Sequence, residues 1–372
     1  MIKEIVHTPE GVRDIYGEEE QRKLFLKDTL NKVIYSYGFE DIETPTFEYF
    51  DVFSKGISTT SSKEFYKFFD KEGDTLVLRP DFTPSVARCV AKYFSDEIAP
   101  IKLTYSGNTF VNNSSLQGKL KEVTEVGAEL FNDESATADA ETINLVIECL
   151  KATGLENFQI CLGHMEYFKG LCESAGIGEE NELLLRELIS TKNYVQAEEL
   201  IDSLIQDTKQ KELLMMTSEC FGDISFIADI KKKVNNVRSK NALLRLEDIY
   251  DILKVFGNEK YVSFDLGILS KYNYYTGIIF KAYTYGIGDV VVKGGRYDHL
   301  VANFGNPKPA VGFVLVVDDL LMALRGQKIN VPLKKEKPVI ISYTVKDRDE
   351  KIKEALELRK EGKAVSLVAE GR

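Results

Sequence analysis

The feature that most limits the fold of this chain is a set of short alternating strands. They occur near residues 101–105, 122–131, 158–163, 260–268, 276–285 and 289–295, and several are joined by short Gly-containing turns. Strands that are neighbours in sequence and joined by tight turns pair antiparallel, because a parallel pair needs a long crossover connection. The sequence therefore predicts an α+β fold in which helices flank an antiparallel sheet.

A change of pattern interrupts these strands. From about residue 170 to 258, apolar residues fall at helical spacing, as in "NELLLREL" and "AEELIDSLIQ", with few strand signals. The stretch "VPLKKEKP" (331–338) is typical of a linker, and a short β-α-β pattern follows it. We therefore divide the chain into a core (1–168 and 259–328), a helical insertion (169–258) and a linker with a truncated α/β segment (329–372).

Charge and hydropathy exclude several classes of protein. The net charge of −11 argues against a nucleic-acid partner, because phosphate binding usually requires a basic face. The apolar run "AVGFVLVV" (310–317) has eight residues, whereas a membrane span needs about 20. The beginning of the sequence lacks the apolar core of a signal peptide. We expect a cytoplasmic protein with no membrane partner.

The cysteines and histidines do not form a ligand set. The five cysteines are scattered and contain no C-x-x-C pair, which is typical of reduced thiols. The three histidines, His7, His164 and His299, have no ligand spacing among themselves. We expect no metal site and no cofactor.

The segment "EVTEVGAELF" (122–131) is the most informative candidate site. Side chains alternate along a strand, so Glu125, Gly127 and Glu129 share one face and apolar residues share the other. The two carboxylates lie roughly 13 Å apart along the strand and flank a position without a side chain, which suits an ammonium or imidazolium group. The alternative is a solvated strand face with a bulge glycine.

Other segments give weaker signals. In "LRPDFTP" (78–84), Asp81 and Thr83 could cap a helix or line a pocket. In "KGGRYDHL" (293–300), Gly294 and Gly295 permit close approach of a ligand, although a strand-ending turn is the commoner reason for such a pair. The tyrosines of "YNYYTG" (272–277) are more typical of packing than of ligand contact.

Together these segments resemble the catalytic core of histidyl-tRNA synthetase, a class II aminoacyl-tRNA synthetase. The resemblance rests on six segments in the expected order, "RPDFTPSVAR", "TYSGNTF", "KEVTEVGAEL", "NYYTGIIF", "GGRYD" and "AVGFVLVVDDLL", and covers about residues 5 to 326. An early segment, "TPEGVRDIYGEEEQRK", resembles that family's dimer-forming first motif. The resemblance implies a six- or seven-stranded antiparallel sheet, a helical insertion and a homodimer.

The same resemblance implies an amino-acid pocket. Asp81 and Thr83 take positions that hold the α-ammonium group of the ligand, and Glu125 stands where the synthetase has Gln. Glu129 takes the position that reads the imidazole. The other implied histidine-site residues are Tyr275, Tyr297, Gly294 and Gly295.

Four positions depart from the synthetase pattern. Val111 and Asn113 replace the Arg and Glu of the Phe-Arg-x-Glu loop, and Ser270 replaces the Arg of the histidine-specific segment. Asp319 stands where the third motif has the Arg that contacts ATP phosphates. Loss of one donor aimed at developing charge costs about 3–4 kcal/mol, so the loss of three predicts no amino-acid activation.

A second family retains this pocket without aminoacylation, namely the regulatory subunit of ATP phosphoribosyltransferase. "CLGHMEYFKG" (161–170) and "DLGILSKYNYYTGIIFKAY" (265–283) resemble its segments. That resemblance implies assembly with a short-form catalytic subunit in a hetero-octamer, activation of that subunit and feedback inhibition by L-histidine. The alternatives are a divergent histidyl-tRNA synthetase and a free-standing amino-acid sensor or tRNA-mimicking adaptor.

Overall fold

The structure, a computed structural model, describes residues 6–54, 57, 60–113, 119–219, 221–270 and 274–370. The chain divides into two compact units. The first contains the residues up to Asp14 and Leu26–Asn330, and the second contains Ile15–Phe25 and Val331–Arg372. Within the described ranges, no helix combines the length and apolar character that a bilayer span requires.

The first unit contains two sheets. Their strands, in chain order, are β1 (Glu40–Asp41), β2 (Phe47–Tyr49), β3 (Lys67–Phe69), β4 (Thr75–Leu78), β5 (Ile101–Phe110), β6 (Glu122–Phe131), β7 (Phe158–His164), β8 (Phe221–Gly222), β9 (Val262–Asp265), β10 (Ile278–Thr284), β11 (Val292–Arg296) and β12 (Ala310–Val316). The smaller sheet has the order β2-β4-β3.

The larger sheet has nine strands in the order β1-β5-β6-β12-β11-β10-β7-β9-β8. The six strands from β5 to β7 in this order pair antiparallel throughout, which confirms the predicted sheet. The prediction of six or seven strands was too low. The additional strands β1 and β9 pair parallel with β5 and β7, and β1 and β8 have two residues each, too few to show alternation in sequence.

Before residue 331, the described part of the chain forms ten α-helices. They are α1 (Gly17–Ser36), α2 (Thr83–Tyr93), α3 (Ala136–Ala152), α4 (Met165–Ser174), α5 (Glu179–Ser190), α6 (Tyr194–Leu204), α7 (Thr208–Glu219), α8 (Ile224–Lys233), α9 (Val237–Phe256) and α10 (Val317–Gly326). Local signals fix several ends. The Ser135 hydroxyl accepts a hydrogen bond from the Ala138 N–H and so begins α3, and Gly257 ends α9 in the left-handed conformation.

Two helices define the two faces that matter for the site. On one face, Phe82 and Val86, at and near the start of α2, pack against Leu103 and Tyr105 of β5 and Phe131 of β6. On the other face lies α3, most of whose residues are buried. We refer to these as the α2 face and the α3 face of the sheet.

The second unit contains strands β13 (Val339–Tyr343) and β14 (Val365–Ala369), which pair parallel, and helix α11 (Arg348–Lys360) between them. A parallel pair requires such a crossover. This is the short α/β segment that the sequence predicts. The ammonium of Lys337 lies 2.9 Å from a Glu18 carboxylate oxygen within the same unit.

Candidate functional site

Strand β6 places two carboxyl groups on the α2 face. Its ten-residue register against β5 and its register against β12 put Glu125, Gly127 and Glu129 on the same side. Glu129 is 1% exposed and Glu125 is 9% exposed. Asp81, just before α2, acts electrostatically on both carboxyl groups. We call Asp81, Glu125 and Glu129 the carboxylate cluster.

Three hydroxyl groups hold Glu129. Thr83, the first residue of α2, donates to Glu129 Oε1 at 2.7 Å, and Tyr105 of β5 donates to the same oxygen at 3.2 Å. The Tyr297 hydroxyl, just after β11, donates to Glu129 Oε2. Donors from three separate elements therefore fix the orientation of this carboxyl group.

Burial dominates the protonation of the cluster. Burial and, to a smaller extent, the nearby Asp81 together raise the pKa of Glu125 to about 8. Burial also raises the pKa of Glu129 to about 7, although hydrogen bonds from Tyr297, Thr83 and Tyr105 oppose the rise. Glu125 Oε2 is buried without a hydrogen-bond partner among the described residues, and no ion pair there involves Glu125 or Glu129. A buried carboxyl group without an ion-pair partner favours a cationic ligand.

The space beside Gly127 is filled, which corrects the prediction of an open position between the two carboxyl groups. Gly127 pairs with Tyr105 across β5 and β6, and a Cβ at Gly127 would overlap the Tyr105 ring. That ring stacks on Phe82 with centroids 4.3 Å apart, and the Arg79 guanidinium lies 4.0 Å from the Phe82 centroid. Arg79 also donates to the Asn108 carbonyl at 2.8 Å, so it anchors backbone.

A row of glycines supports the site instead. Glu129 pairs with Gly312 of β12, which pairs with Gly295 of β11. A Cβ at Gly312 would overlap the Glu129 carboxyl group, and a Cβ at Gly295 would overlap the ring of Tyr275. Because Gly312 and Gly295 have no side chains, the Glu129 carboxyl group and the Tyr275 ring can pack directly against the backbone of β12 and β11.

Gly294, predicted beside Gly295 in the site, faces the other way. A Cβ at Gly294 would overlap the ring of Phe280, its cross-strand partner on β10, which is fully buried. Successive residues of a strand point to opposite faces, so only one of the two paired glycines lies on the α2 face with Glu129.

The tyrosines form a buried wall on the α2 face. Tyr274 and Tyr275 meet edge to face with centroids 4.9 Å apart, and Tyr274 lies 5.1 Å from Tyr297. Glu129 and Asp81 help to raise the pKa of Tyr275, although burial is the main cause. Residues 271–273 of this segment lie outside the described ranges.

The four positions that depart from the synthetase pattern carry no cation. The Val111 N–H donates to the Lys121 carbonyl at 2.9 Å, and the Asn113 amide to the Leu120 carbonyl at 3.4 Å, so this segment is held by backbone. The tip at 114–118 lies outside the described residues. Ser270 accepts a bond from Arg186 at 3.3 Å through its carbonyl oxygen. Burial raises the pKa of Asp319.

The α3 face holds a contrasting group of charges. Asp139 of α3 is fully buried and accepts from Arg296 Nε at 2.9 Å and from Arg245 Nε at 2.8 Å. Arg296 also donates to Asp298 at 3.0 Å. We call Asp139, Arg245, Arg296 and Asp298 the arginine network. Arg296 and Tyr297 are consecutive residues that point to opposite faces. Arg296 belongs to the arginine network on the α3 face, and Tyr297 contacts Glu129 on the α2 face.

An open cavity of about 540 Å³ lies between the end of α1, α3 and the end of α9. Its polar lining is already bonded internally. Asn258 donates to Asn144 at 2.7 Å and to Glu148 at 2.9 Å, Asn144 donates to the Tyr37 hydroxyl at 2.8 Å, and Lys151 donates to Glu148 at 2.8 Å. These bonds leave few groups for a ligand, so we place the candidate site at the carboxylate cluster.

The structure adds two residues that sequence reasoning missed, namely Tyr105 and Gly312. Tyr105 lies at the start of the polar stretch "YSGNTF", but its role depends on the register of β5 against β6. Gly312 stands inside the apolar run "AVGFVLVV", where a lone glycine in a strand pattern was the available signal of a close approach.

Comparisons with known proteins place this arrangement in context. A family profile described as histidyl-tRNA synthetase matches residues 11–320. The ATP phosphoribosyltransferase regulatory subunit of Acetivibrio thermocellus is 40% identical over 369 residues, which are 98% of this chain and 87% of that protein.

Solved structures agree with these matches. A crystal structure from Bacillus halodurans, described as an ATP phosphoribosyltransferase regulatory subunit/histidyl-tRNA synthetase, superposes with a TM-score of 0.89 at 32% identity, covering 98% of this chain and 93% of that one. The histidyl-tRNA synthetase of a Nostoc species superposes with a TM-score of 0.81 at 22% identity, covering 99% of this chain and 86% of that one. The second likeness concerns the fold alone.

Proposed function

The chain belongs to the family of ATP phosphoribosyltransferase regulatory subunits, and from this premise we propose that it is the non-catalytic subunit of such a complex. Its partner is a short-form catalytic subunit, which it activates in the first step of histidine biosynthesis. It also conveys feedback inhibition by L-histidine. We include in the proposal a homodimer that assembles into a cytoplasmic hetero-octamer.

The observation that carries this proposal is the hydroxyl-held, cation-free Glu129. Thr83, Tyr105 and Tyr297 orient its carboxyl group, and no ion pair among the described residues involves it. The ammonium and imidazole groups of histidine are the kind of partner that a buried carboxyl group requires. A ligand that prefers one assembly state couples the two sites, typically by about 1–3 kcal/mol.

The lack of cations at the synthetase positions supports a regulatory role over aminoacylation. Val111 and Ser270 have neutral side chains, and Asp319 would repel an ATP phosphate when ionised. Formation of an aminoacyl adenylate needs positive groups aimed at the charge that develops on the α-phosphate. The retained amino-acid pocket therefore suits binding without activation.

The proposal is tested by the rate of phosphoribosyl-ATP formation by the cognate short-form catalytic subunit, with and without this chain. We expect a large rise with the chain, and a fall when L-histidine is added. For Glu129→Gln, the ratio of the rates with and without histidine should approach one. The absence of any rise with the wild-type chain would overturn the proposal.

The match to the histidyl-tRNA synthetase profile favours a divergent synthetase as the second candidate. Histidine-dependent exchange between ATP and pyrophosphate distinguishes the two, because exchange requires adenylate formation. We expect no exchange above the level without enzyme. An exchange signal that disappears in Glu129→Gln would instead establish the synthetase.

A further inference from the structure

Two lysines lie side by side on the α2 face, next to the carboxylate cluster. Lys281 of β10 and Lys293 of β11 are direct cross-strand partners. Lys293 stands two residues before Gly295 and therefore points to the same face as the glycine row. Lys293 is exposed and Lys281 is half-buried.

Among the described residues, neither of these two ammonium groups forms a hydrogen bond or an ion pair. Like charges directly opposite each other in a sheet repel, and burial together with Lys293 lowers the pKa of Lys281. Two neighbouring ammonium groups without counter-charges destabilise the fold unless an anionic group binds between them or above them.

The nearby acids are engaged elsewhere. Asp289 accepts from Lys119 at 2.7 Å, and Asp265 accepts from the Gly267 N–H at 2.9 Å. Burial raises the pKa of Asp319, which reduces its value as a counter-charge. Lys192 adds a further positive charge near Lys281. The lysine pair therefore remains open to an external oxyanion.

The spacing fits a small zwitterion. The Glu129 carboxyl group lies over Gly312, and Lys293 is one strand away and two residues along. With strands about 4.8 Å apart and about 3.3 Å per residue, this offset is about 8 Å. A lysine side chain and a free amino acid together bridge such a distance. Lys293 also acts electrostatically on Glu125, so the lysine pair and the carboxylate cluster border one region.

We infer that Lys281 and Lys293 bind the carboxylate of a free amino acid whose cationic groups contact the carboxylate cluster. The two lysines supply the positive charge that Val111 and Ser270 do not. This inference rests on the proposed function only for the identity of the amino acid, L-histidine. It makes the lysine pair the determinant that separates an amino acid from its carboxylate-free analogues.

The test is calorimetric titration of the full chain with L-histidine and with L-histidinol, which lacks the carboxylate. We expect wild-type to prefer histidine, and Lys281→Gln and Lys293→Gln to weaken histidine about 10–100-fold while histidinol changes little. Lys232→Gln, an exposed lysine on α8, is the matched control and should change neither titration.

Several outcomes would overturn the inference. These are equal weakening of histidine and histidinol in the lysine variants, unchanged histidine affinity in both variants, or no histidine binding to the wild-type chain. Titration with inorganic phosphate tests the other source of an oxyanion. If phosphate binding depends on the two lysines and histidine binding does not, the assignment to a carboxylate is wrong.

The same variants separate this inference from the proposed function. Phosphoribosyl-ATP formation reports activation of the catalytic subunit, whereas the titrations need this chain alone. If the chain fails to activate the catalytic subunit but selects histidine over histidinol through the two lysines, the regulatory role is wrong and the lysine site is supported. If the chain activates the catalytic subunit but shows no lysine-dependent selection, the regulatory role is supported and the lysine site is wrong.

Discussion

Asp139 and Glu129 are buried carboxyl groups on opposite faces of the same sheet, and their hydrogen-bond partners differ in charge. On the α3 face, Asp139 is surrounded by the guanidinium groups of Arg245 and Arg296, within 2.9 Å. On the α2 face, Glu129 is equally buried, and its partners among the described residues are neutral hydroxyls. One buried oxygen of Glu125 has no hydrogen-bond partner there.

The difference shows how structural charges can be separated from binding charges. Burial raises the pKa of Asp139 and two guanidiniums oppose that rise, so its charge is compensated inside the protein. Burial is the main cause that raises the pKa of Glu125 to about 8 and of Glu129 to about 7, and no ion pair with either carboxyl group occurs in the described ranges. A buried carboxyl group that forms no ion pair within the protein is a candidate binding group for a positively charged ligand.

The largest expected effect comes from breaking the arginine network. Asp139→Asn leaves two guanidiniums without their buried partner, so we expect a loss of about 3–5 kcal/mol in the free energy of unfolding. Glu129→Gln is the matched variant on the other face and should change that free energy by less than about 1 kcal/mol, because the amide oxygen still accepts from hydroxyls. Urea denaturation measures both, and equal losses would contradict the comparison.

The intermediate effect is a dependence of stability on pH. Because the pKa values of Glu125 and Glu129 are higher when folded than when unfolded, the folded chain binds more protons, and its stability falls as pH rises. Between pH 6.5 and 8, we expect the ligand-free chain to lose about 2–3 kcal/mol.

His164, whose pKa is lowered to about 4 by burial, contributes with the opposite sign, mainly below about pH 6.5, and its contribution is common to the wild-type chain and to the variant below. Denaturation of wild-type and Glu125→Gln at pH 6.5, 7.25 and 8 checks the prediction. The variant should show a flatter dependence than wild-type. Identical slopes would mean that Glu125 titrates in its ordinary range.

The smallest effect compares one hydroxyl on each face. Thr83 donates to Glu129, whereas Thr142 of α3 donates to the Ala138 carbonyl at 2.8 Å. Each Thr→Val change should cost about 0.5–1.5 kcal/mol. Only Thr83→Val should also shift the pH dependence to higher pH, because the ionised form of Glu129 loses a donor. Urea denaturation of both variants across the same pH range measures this shift. A shift of the pH dependence in Thr142→Val would contradict the difference between the α2 face and the α3 face.

Much of the fold follows from local patterns. The alternation of β6 and the Gly-containing connection between β10 and β11 are sequence signals that the structure confirms. The short strand β8 does not show in the sequence, because two residues carry no periodicity and its pairing is decided by a distant partner.

The site is less accessible to sequence reasoning, because it depends on register between strands. The pattern of β6 alone puts Glu125, Gly127 and Glu129 on one face. Only the pairing of Gly127 with Tyr105 shows that a ring fills the position between them. The lysine pair is another example, since Lys281 and Lys293 are 12 residues apart and become neighbours through the β10–β11 register.

The glycine row also limits how this site can change during evolution or engineering. A side chain at Gly312 or Gly295 would overlap the Glu129 carboxyl group or the Tyr275 ring, so the floor cannot be used to adjust pocket volume. New ligand preferences have to arise from changes at other positions around the site, such as Thr83 of α2 and the lysine pair of β10 and β11. A library aimed at other amino acids should therefore vary those positions and keep both glycines.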